Sequence, residues 1–341
     1  MRLGLVSTDF GPDIKIDFDL ILEAERLGFS SVWTAEAYGN DAIVPLSYIA
    51  ARTSKIGLGT AIMQMTARAP AMTAMTAMTL DKLSGGRFIL GLGPSGPQVV
   101  EGWHGVPYGR PLTRTKEYIQ IVRAILAREA PLEHKGYHYE IPNRSEAASG
   151  LGRPLKSILH GRTDMQIYTA SIAPNGLRCA GEVADGVIPV WMSPERCELI
   201  EKPLAEGLAA GGSRRREDFD VAPFVNVVLG DDIEKCRKPI KSMLALYVGG
   251  MGARNKNFYN DFAKRLGYEE TAVQLQDLYL SGKKAEAVAA VPDELVDDVA
   301  LVGPKERIAE RVQVWKDSPV DSLLLATRQP EALRLLAELV L

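Results

Sequence analysis

The chain has 341 residues, 46% of them hydrophobic and 24% charged, which is enough apolar material for one large core or two smaller ones. Its 40 basic and 43 acidic side chains give a net charge of −3, which argues against nucleic acid or an anionic membrane as a partner. We find no signal-peptide core and no run of roughly eighteen apolar residues. Three widely spaced cysteines fit neither a disulfide framework nor a zinc motif, so we expect a cytoplasmic protein.

The first half of the chain alternates short apolar runs with longer helical patterns. This alternation is typical of repeated strand–helix units around a parallel sheet. Glycine ends the first helical pattern at Gly28. Strands are predicted at 3–7, 31–34, 56–63 and 87–92, and helices at 17–27, 45–52, 70–83 and 112–128.

The second half repeats the alternation after an irregular stretch rich in Gly, Pro and Ser. Eight units in all predict an α/β fold, a closed (β/α)8 TIM barrel, as a single domain over 1–341. Such a barrel needs about 250 residues, so the excess is assigned to insertions at about 134–157 and 246–298. An open doubly wound sheet fits less well, because no strand reads as an order-reversing crossover. The later strands are predicted at 166–170, 186–190, 221–229 and 322–326, with helices at 174–184 and near 194–210.

The glycine motif GLGPSG, with Gly91, Gly93 and Gly96, matches the dinucleotide-binding fingerprint G-x-G-x-x-G. A Rossmann site is not predicted, because no second strand ends in an acidic residue about twenty positions later. Glycines at the carboxyl end of a barrel strand instead let a ligand approach the backbone closely. His134 and His138 lie in a turn-rich stretch, and neither H-E-x-x-H nor CxxC occurs, so no metal site is expected. The lack of G-x-S-x-G removes serine hydrolysis.

The predicted strand ends carry few polar side chains. Low polarity there suits a flat, largely apolar cofactor better than it suits phosphate transfer or hydrolysis. The residues of interest at these ends are Glu36, the run 61–65, Ser95, Gln98, Ala170, Ser171 and Trp191.

Four segments together resemble the luciferase-like family of flavin and deazaflavin oxidoreductases over nearly the whole chain. The last of them is similar to the deazaflavin-dependent branch, whose cofactor is coenzyme F420. The segments are GFSSVWTAEAYGNDA (28–42), SKIGLGTAIMQMTARAPAMTAMTAMTLDKLSGGRFILGLGPSGPQVVEGWHG (54–105), QIYTASIAPNGLRCAGEVADGVIPVW (166–191) and LALYVGGMGARNKNFYNDFA (244–263).

The resemblance implies a barrel that holds coenzyme F420 at its carboxyl-terminal mouth, commonly in a homodimer, and that acts on a small molecule. It also implies a non-prolyl cis peptide between Ala61 and Ile62, where the backbone would press on one ring face. The residues implied to bind the cofactor are Ala61, Ile62, Gln64, Gly93, Ser95, Gly96 and Gln98 around the ring and tail, Ala170, Ser171 and Ile172 at the phosphate, and Trp191 as a wall.

One departure from the family pattern bears on the reaction. Relatives that oxidise alcohols or sugar phosphates commonly carry Asp-His after the second strand, where this chain has Glu36 and Ala37, and an acidic loop residue where it has Gly96. Reduction of an activated double bond or imine, which needs only an acid, is therefore favoured over oxidation of a hydroxyl. Glu36 is the first candidate for that acid, with His104 and Tyr38 as second choices. The alternative for Glu36 is a carboxylate solvated at the rim or paired with an arginine.

Two other functions remain open from the sequence. An FMN-dependent monooxygenase is the nearer one, since the family hosts both cofactors. A non-catalytic flavin-binding protein is the other, although all eight units and both insertions are present here. We also expect a mobile lid at 249–259, where three glycines precede Asn257, Phe258 and Tyr259.

Overall fold

The computed structural model describes residues 1–8, 11–212 and 214–341. Its first half alternates strands and helices. In chain order it contains β1 (Arg2–Val6), α1 (Phe18–Leu27), β2 (Ser31–Thr34), α2 (Ile43–Ala50), β3 (Gly57–Thr60), β4 (Met63–Gln64), α3 (Pro70–Leu83), β5 (Phe88–Gly93), α4 (Pro97–Gly102) and α5 (Pro111–Ala127).

The second half continues the alternation but adds a group of helices before its last strands. A π-helical turn at Ala245–Gly250 joins two of these helices. The elements are β6 (His134–Lys135), β7 (Glu140–Ile141), β8 (Ile167–Ala170), α6 (Pro174–Val183), β9 (Gly186–Ile188), α7 (Glu198–Gly211), β10 (Asp220–Val221), β11 (Phe224–Leu229), α8 (Ile233–Leu244), α9 (Phe258–Arg265), α10 (Glu269–Leu280), α11 (Lys284–Ala289), α12 (Asp293–Val299), β12 (Ala300–Gly303), α13 (Lys305–Asp317), β13 (Ser322–Ala326) and α14 (Pro330–Val340).

Helix α1 shows how the sequence sets element boundaries. Asp17 caps its start, since the side-chain oxygen accepts a hydrogen bond from the backbone N of Leu20 at 3.1 Å. Gly28 ends it with a φ of 92°, a left-handed conformation that a residue without a Cβ adopts at little cost. Ile21 and Ala24 are buried on the face turned to the sheet.

The strands form a parallel α/β sheet in the order β10-β9-β8-β5-β3-β2-β1-β13-β11-β12, with β4 also paired to β5. The short segment that contains β10 has hydrogen bonds to two neighbours. The backbone N of Ala222 donates to the carbonyl of Val187 at 2.9 Å, and the N of Asp321 donates to the carbonyl of Val221 at 3.2 Å. All carboxyl ends of the parallel strands therefore lie at one edge, where loops gather.

Two hydrophobic clusters lie on the two faces of the sheet. The larger packs the helices against its outer face, and the smaller fills the inner face around Trp33 and Tyr168, whose ring centroids are 5.7 Å apart. Gly59 makes room for the indole, because a Cβ there would lie 2.1 Å from a Trp33 ring carbon. The inner face is thus packed at the depth of these two rings.

The predicted elements are confirmed at most positions, and several bounds need correction. The predicted strand 56–63 is divided into β3 and β4, and 221–229 is divided into β10 and β11. Strand β12, paired in parallel with β11, was not predicted. The insertion at 134–157 holds the antiparallel hairpin β6–β7, and the insertion at 246–298 is mostly helical.

The predicted lid at 249–259 is anchored at both ends. Gly249 is buried, and the Asn257 side chain donates to the carbonyls of Tyr247 at 3.1 Å and Val248 at 3.0 Å. Most of 251–256 is exposed, and so is Phe258. The mobility of the segment stays a prediction, and these contacts place its two ends. In the part of the chain that the structure describes, no helix is long and apolar enough to span a bilayer.

Candidate active site

Small residues line the inner face at the carboxyl end of the sheet. Side chains alternate along a strand, so Ala35 follows Trp33, and Ala170 follows Tyr168, on the inner side. Ala61 and Ala326 belong to the same inner cluster. Large rings thus fill the lower part of the interior, and a low floor of small residues remains above them. We call the region above this floor the mouth.

The ends of β3, β4 and β5 meet on one side of the mouth. The Ala61–Ile62 peptide is cis, so the expected isomer is confirmed. The Ile62 side chain lies against Gly93, where a Cβ would be 2.7 Å from an Ile62 side-chain carbon. Gln64 is the register partner of Gly93, and its side-chain Oε1 is buried without a hydrogen-bond partner. Four of the predicted cofactor residues, Ala61, Ile62, Gln64 and Gly93, are therefore brought together here.

Ser95 and Trp191 share an unusual backbone conformation. Both have positive φ, 59° for Ser95 and 57° for Trp191, and among the described non-glycine residues only Arg128 does the same. Left-handed backbone in a non-glycine residue is costly and is found most often at functional sites. Gly96 and Gln98 follow Ser95 and contact each other, since a Cβ on Gly96 would lie 3.3 Å from the Gln98 amide oxygen.

The turn after β8 places a hydroxyl at a helix start. Ala170, Ser171 and Ile172 lead into α6, whose first turn has no side-chain cap. A Cβ on Gly176 would lie only 2.0 Å from the Ser171 Oγ. Gly176 therefore leaves the hydroxyl and the first backbone amides of α6 side by side, which is a suitable arrangement for a phosphate oxygen.

Trp191 begins a row of aromatic rings. It packs edge-on to Tyr247 at a centroid distance of 5.6 Å, and Tyr247 packs edge-on to Tyr259 at 4.8 Å. Burial raises the pKa of Tyr247 and of Tyr259, so both hydroxyls stay protonated near neutral pH. The Trp191 Nε1 is buried without a partner. Tyr247 was missed by the sequence analysis, because the π-helical turn that carries it has no simple sequence signature.

Glu36 does not have the surroundings of a proton donor. Its Oε1 accepts hydrogen bonds from the backbone N of Gln64 and from Nη1 of Arg68, both at 2.6 Å, and its Oε2 accepts from the N of Ala42 at 3.1 Å. A proton on either oxygen would face a donor instead of an acceptor. Arg68 also pairs with Asp41. The structure has the arginine-paired alternative for Glu36, and this pairing argues against the acid role.

The two other acid–base candidates differ in burial. Tyr38 has 64% of its surface exposed, so it lies outside the protected part of the site. His104, in the loop after α4, has its Nε2 buried with no hydrogen-bond partner. Of the three candidates, His104 alone has a buried side-chain atom without a hydrogen-bond partner.

Buried polar atoms without partners test whether a cofactor fits this site. Besides Gln64 and Trp191, the Nδ2 of Asn226 is such an atom, and Asn226 faces the interior two residues beyond Phe224. Buried polar groups in folded proteins are nearly always hydrogen-bonded, so this set fits a ligand with several polar edges. In 1–8, 11–212 and 214–341, no three His, Cys, Asp or Glu side chains converge as a metal site would require.

Known proteins resemble this chain over most or all of its length. A putative coenzyme F420-dependent oxidoreductase of Mycobacterium tuberculosis is 44% identical over 343 residues, covering 100% of this chain and 99% of the relative. The 5,10-methylenetetrahydromethanopterin reductase of Methanolobus tindarius is 32% identical over 73% of this chain and 72% of its own length.

Solved structures share the fold. The coenzyme F420-dependent tetrahydromethanopterin reductase from Methanopyrus kandleri superposes with a TM-score of 0.81 at 23% identity, over 99% of this chain and 98% of that one. An F420-dependent secondary alcohol dehydrogenase gives 0.76 at 16% identity, over 99% and 98%. The family described as luciferase-like monooxygenase matches residues 7–322. The chain belongs to the luciferase-like monooxygenase family.

Proposed function

We propose that the protein is an oxidoreductase that transfers a hydride between coenzyme F420 and a small organic acceptor, reducing an activated double bond or an imine. The observation that carries the proposal is the set of buried, unpartnered polar atoms on Gln64, Trp191 and Asn226 around a floor of small residues. A flat ring with polar edges would satisfy them. The name of the relative at 44% identity supports F420 as that ring.

Different residues of the mouth would bind different parts of the cofactor. Ile62, resting on Gly93, would support one face of the ring, and Gln64 and Trp191 would hydrogen-bond its polar edge. Ser171 and the first amides of α6 would hold the phosphate. When bound, the reduced cofactor supplies the hydride and its two electrons. The task left to the protein is to orient the acceptor, exclude water and provide one proton.

We assign that proton to His104. Its buried Nε2 has no protein partner, whereas Tyr38 is largely exposed and both oxygens of Glu36 are occupied. The positions that carry Asp-His in hydroxyl-oxidising relatives hold Glu36 and Ala37 here, so no histidine base stands at the end of β2. This difference supports reduction of an acceptor over oxidation of an alcohol.

Cofactor binding tests the proposal first. The purified protein is titrated with coenzyme F420 and, separately, with FMN while deazaflavin or flavin fluorescence is followed. Saturable binding of F420 with much weaker binding of FMN is expected. Tight FMN binding without F420 binding would favour the monooxygenase alternative. Reduced F420 is then offered quinones, enones and imines, and its reoxidation identifies acceptors.

The assignment of His104 is tested with the best acceptor found. His104→Gln should lower kcat about 10²- to 10⁴-fold, the usual value of general acid catalysis, while the F420 dissociation constant stays within about twofold. His160→Gln, a change at an exposed histidine, is the matched control and should leave both constants unchanged. Wild-type turnover in His104→Gln would assign the proton to Tyr38, Tyr247 or water.

We propose in addition that the single domain closes into a (β/α)8 barrel and that two copies associate. Closure is supported by the hydrogen bonds that tie 220–224 both to β9 and to β13. Association is supported by exposed apolar side chains on two helices that follow neighbouring strands, Val44 and Tyr48 on α2 and Met72 and Met75 on α3. Light scattering should give the mass of a dimer, and Tyr48→Lys together with Met75→Lys should give a monomer.

A further inference from the structure

Arg265, at the end of α9, is a half-buried cation that the protein leaves largely unused. Its Nη2 donates to the carbonyl of Ile172 at 3.0 Å, and this is the only hydrogen bond that its side chain makes within the described residues. A guanidinium has five N–H donors, so four of them lack a protein acceptor. Its neighbour Asp261 acts on it electrostatically, but not at ion-pair distance.

Other arginines in the molecule show that this is unusual. Arg87, also without a carboxylate at contact distance, makes five hydrogen bonds to carbonyls and a hydroxyl. Arg216 and Arg237 are each paired with two or more carboxylates. Arg265 has neither kind of compensation. Burial lowers the pKa of its guanidinium, as it does for Arg87, and an anion beside Arg265 would offset that cost.

The position of Arg265 is fixed from behind. Arg196 donates to the carbonyls of Leu266 at 3.0 Å and Arg265 at 3.3 Å, which holds the carboxyl end of α9. The Phe262 ring lies 5.3 Å from the Arg265 guanidinium. The side chain is therefore directed by the fold toward Ile172, which follows Ser171 and lies two residues before the start of α6.

We propose that Arg265 completes an anion site with the Ser171 hydroxyl and the first amides of α6, and that this site takes the phosphate of the cofactor tail. The inference rests on the proposed function, because it names a residue that binds part of the same cofactor. A planar fork of donors suits a phosphate better than a single carbonyl. Helix α9 belongs to the 246–298 insertion, so this insertion would supply a cofactor contact as well as surroundings for the substrate.

The test compares two ligands that share the ring and differ in the phosphate. Fluorescence titrations are made with coenzyme F420 and with its deazaflavin fragment, which ends in the ribityl hydroxyl and has no phosphate. Arg265→Gln should weaken F420 binding about 10- to 100-fold, as loss of a charge-assisted hydrogen bond does, and leave the fragment unchanged. Lys264→Gln, one position earlier on α9, is the control and should change neither.

Each other outcome overturns something definite. Unchanged F420 affinity in Arg265→Gln, or equal weakening of both ligands, would refute the phosphate role of Arg265 while the proposed function stands. Failure of the wild-type protein to bind F420 would refute the proposed function itself. If Arg265→Gln melts well below the wild type, Arg265→Lys, which keeps one donor for Ile172, replaces it in the same comparison.

Discussion

The two sides of the mouth treat their polar groups in opposite ways. At the ends of β2 and β4, Glu36, Arg68 and Asp41 satisfy one another and the nearby backbone. Trp191, after the end of β9, and Asn226, within β11, keep buried polar atoms without partners. The charged residues of the first side are complete as a protein structure. The polar atoms of the second side, and the Oε1 of Gln64 on β4, have partners only if a ligand supplies them. Charged residues at strand ends are therefore a poor guide to chemistry unless their partners are known.

The difference has a thermodynamic side. A buried polar atom without a partner costs free energy in the folded protein, and a ligand that supplies the partner recovers it on binding. A buried ion pair whose hydrogen bonds are all made has no free donor or acceptor for a ligand. It contributes instead to the stability of the loop that it holds. Substitutions on the paired side should therefore lower stability, and substitutions on the unpaired side should lower affinity or turnover.

The largest effect is expected on the paired side. Glu36→Gln removes the charge that Arg68 contacts in a site where the Glu36 side chain is only 6% exposed. Breaking such a buried pair from one side should lower the free energy of unfolding by about 3 kcal/mol, measured by urea denaturation at pH 7. F420 affinity of the folded protein should change little.

Asp41→Asn is the matched control for that prediction. It removes the second carboxylate on Arg68, but the amide keeps an oxygen to accept from the backbone of Ile43 and Val44. A loss below about 1 kcal/mol is expected, because the Asp41 side chain is partly exposed. Wild-type stability in Glu36→Gln combined with a 10²- to 10⁴-fold lower kcat would return Glu36 to the role of acid.

Glu117 anchors a loop through hydrogen bonds to backbone amides and, unlike Glu36, makes no ion pair with an arginine across the described ranges of the chain. Its oxygens accept from the backbone N of Tyr137 at 2.7 Å, His138 at 2.9 Å and Tyr139 at 3.1 Å, which fastens the hairpin β6–β7 to α5. Burial alone would raise the pKa of Glu117, but the three amides outweigh it and hold the pKa below its ordinary value of 4.5. Glu117→Gln should cost about 1–3 kcal/mol at pH 7.

The pH dependence of that loss follows from the sign of the shift. A carboxyl with a lowered pKa binds fewer protons in the folded than in the unfolded state, so its contribution is complete above pH 4.5 and declines as the pH falls below it. Urea denaturation from pH 7 down to pH 3 should show the two proteins converging. A gap that stays constant with pH would mean that Glu117 acts through packing and not through its charge.

Much of the fold was accessible from the sequence because it depends on local patterns. Apolar periodicity and the Gly28 stop locate α1, and the proline before an apolar face locates α3 within the predicted bounds. Strand β12 was missed, since the short apolar run 300–303 follows a helical pattern directly, without a turn signal between them. The cis peptide at 61–62 was expected only through the resemblance to the family, because no local propensity indicates it.

The site was less accessible, because its chemistry depends on contacts distant in sequence. Ser95, Ser171 and Trp191 could be placed at strand ends, since strand ends are visible in the pattern. The pairing of Glu36 with Arg68 spans 32 positions, and the contact of Arg265 with Ile172 spans 93. Tyr247 reaches Trp191 through a π-helical turn. Such contacts are set by the packing of helices on the sheet, which one sequence alone does not reveal.

The smallest effect expected, and the most specific, concerns Gly176 in the first turn of α6, after β8. A methyl group at this position would lie 2.0 Å from the Ser171 Oγ, and a serine side chain escapes by rotating about χ1. Stability should therefore hold or rise slightly, because alanine is the better helix former. The rotated hydroxyl no longer stands beside the first amides of α6, so Gly176→Ala should weaken F420 binding about fivefold, as loss of one hydrogen bond of about 1 kcal/mol does. The phosphate-free fragment should bind Gly176→Ala as tightly as it binds the wild type. Gly176→Ala should thus lower F420 affinity and keep stability, whereas Glu36→Gln should lower stability and keep affinity. Equal loss of affinity for both ligands would place Ser171 at the ring. Lower stability without weaker binding would mean that Gly176 serves the folded structure and not the ligand.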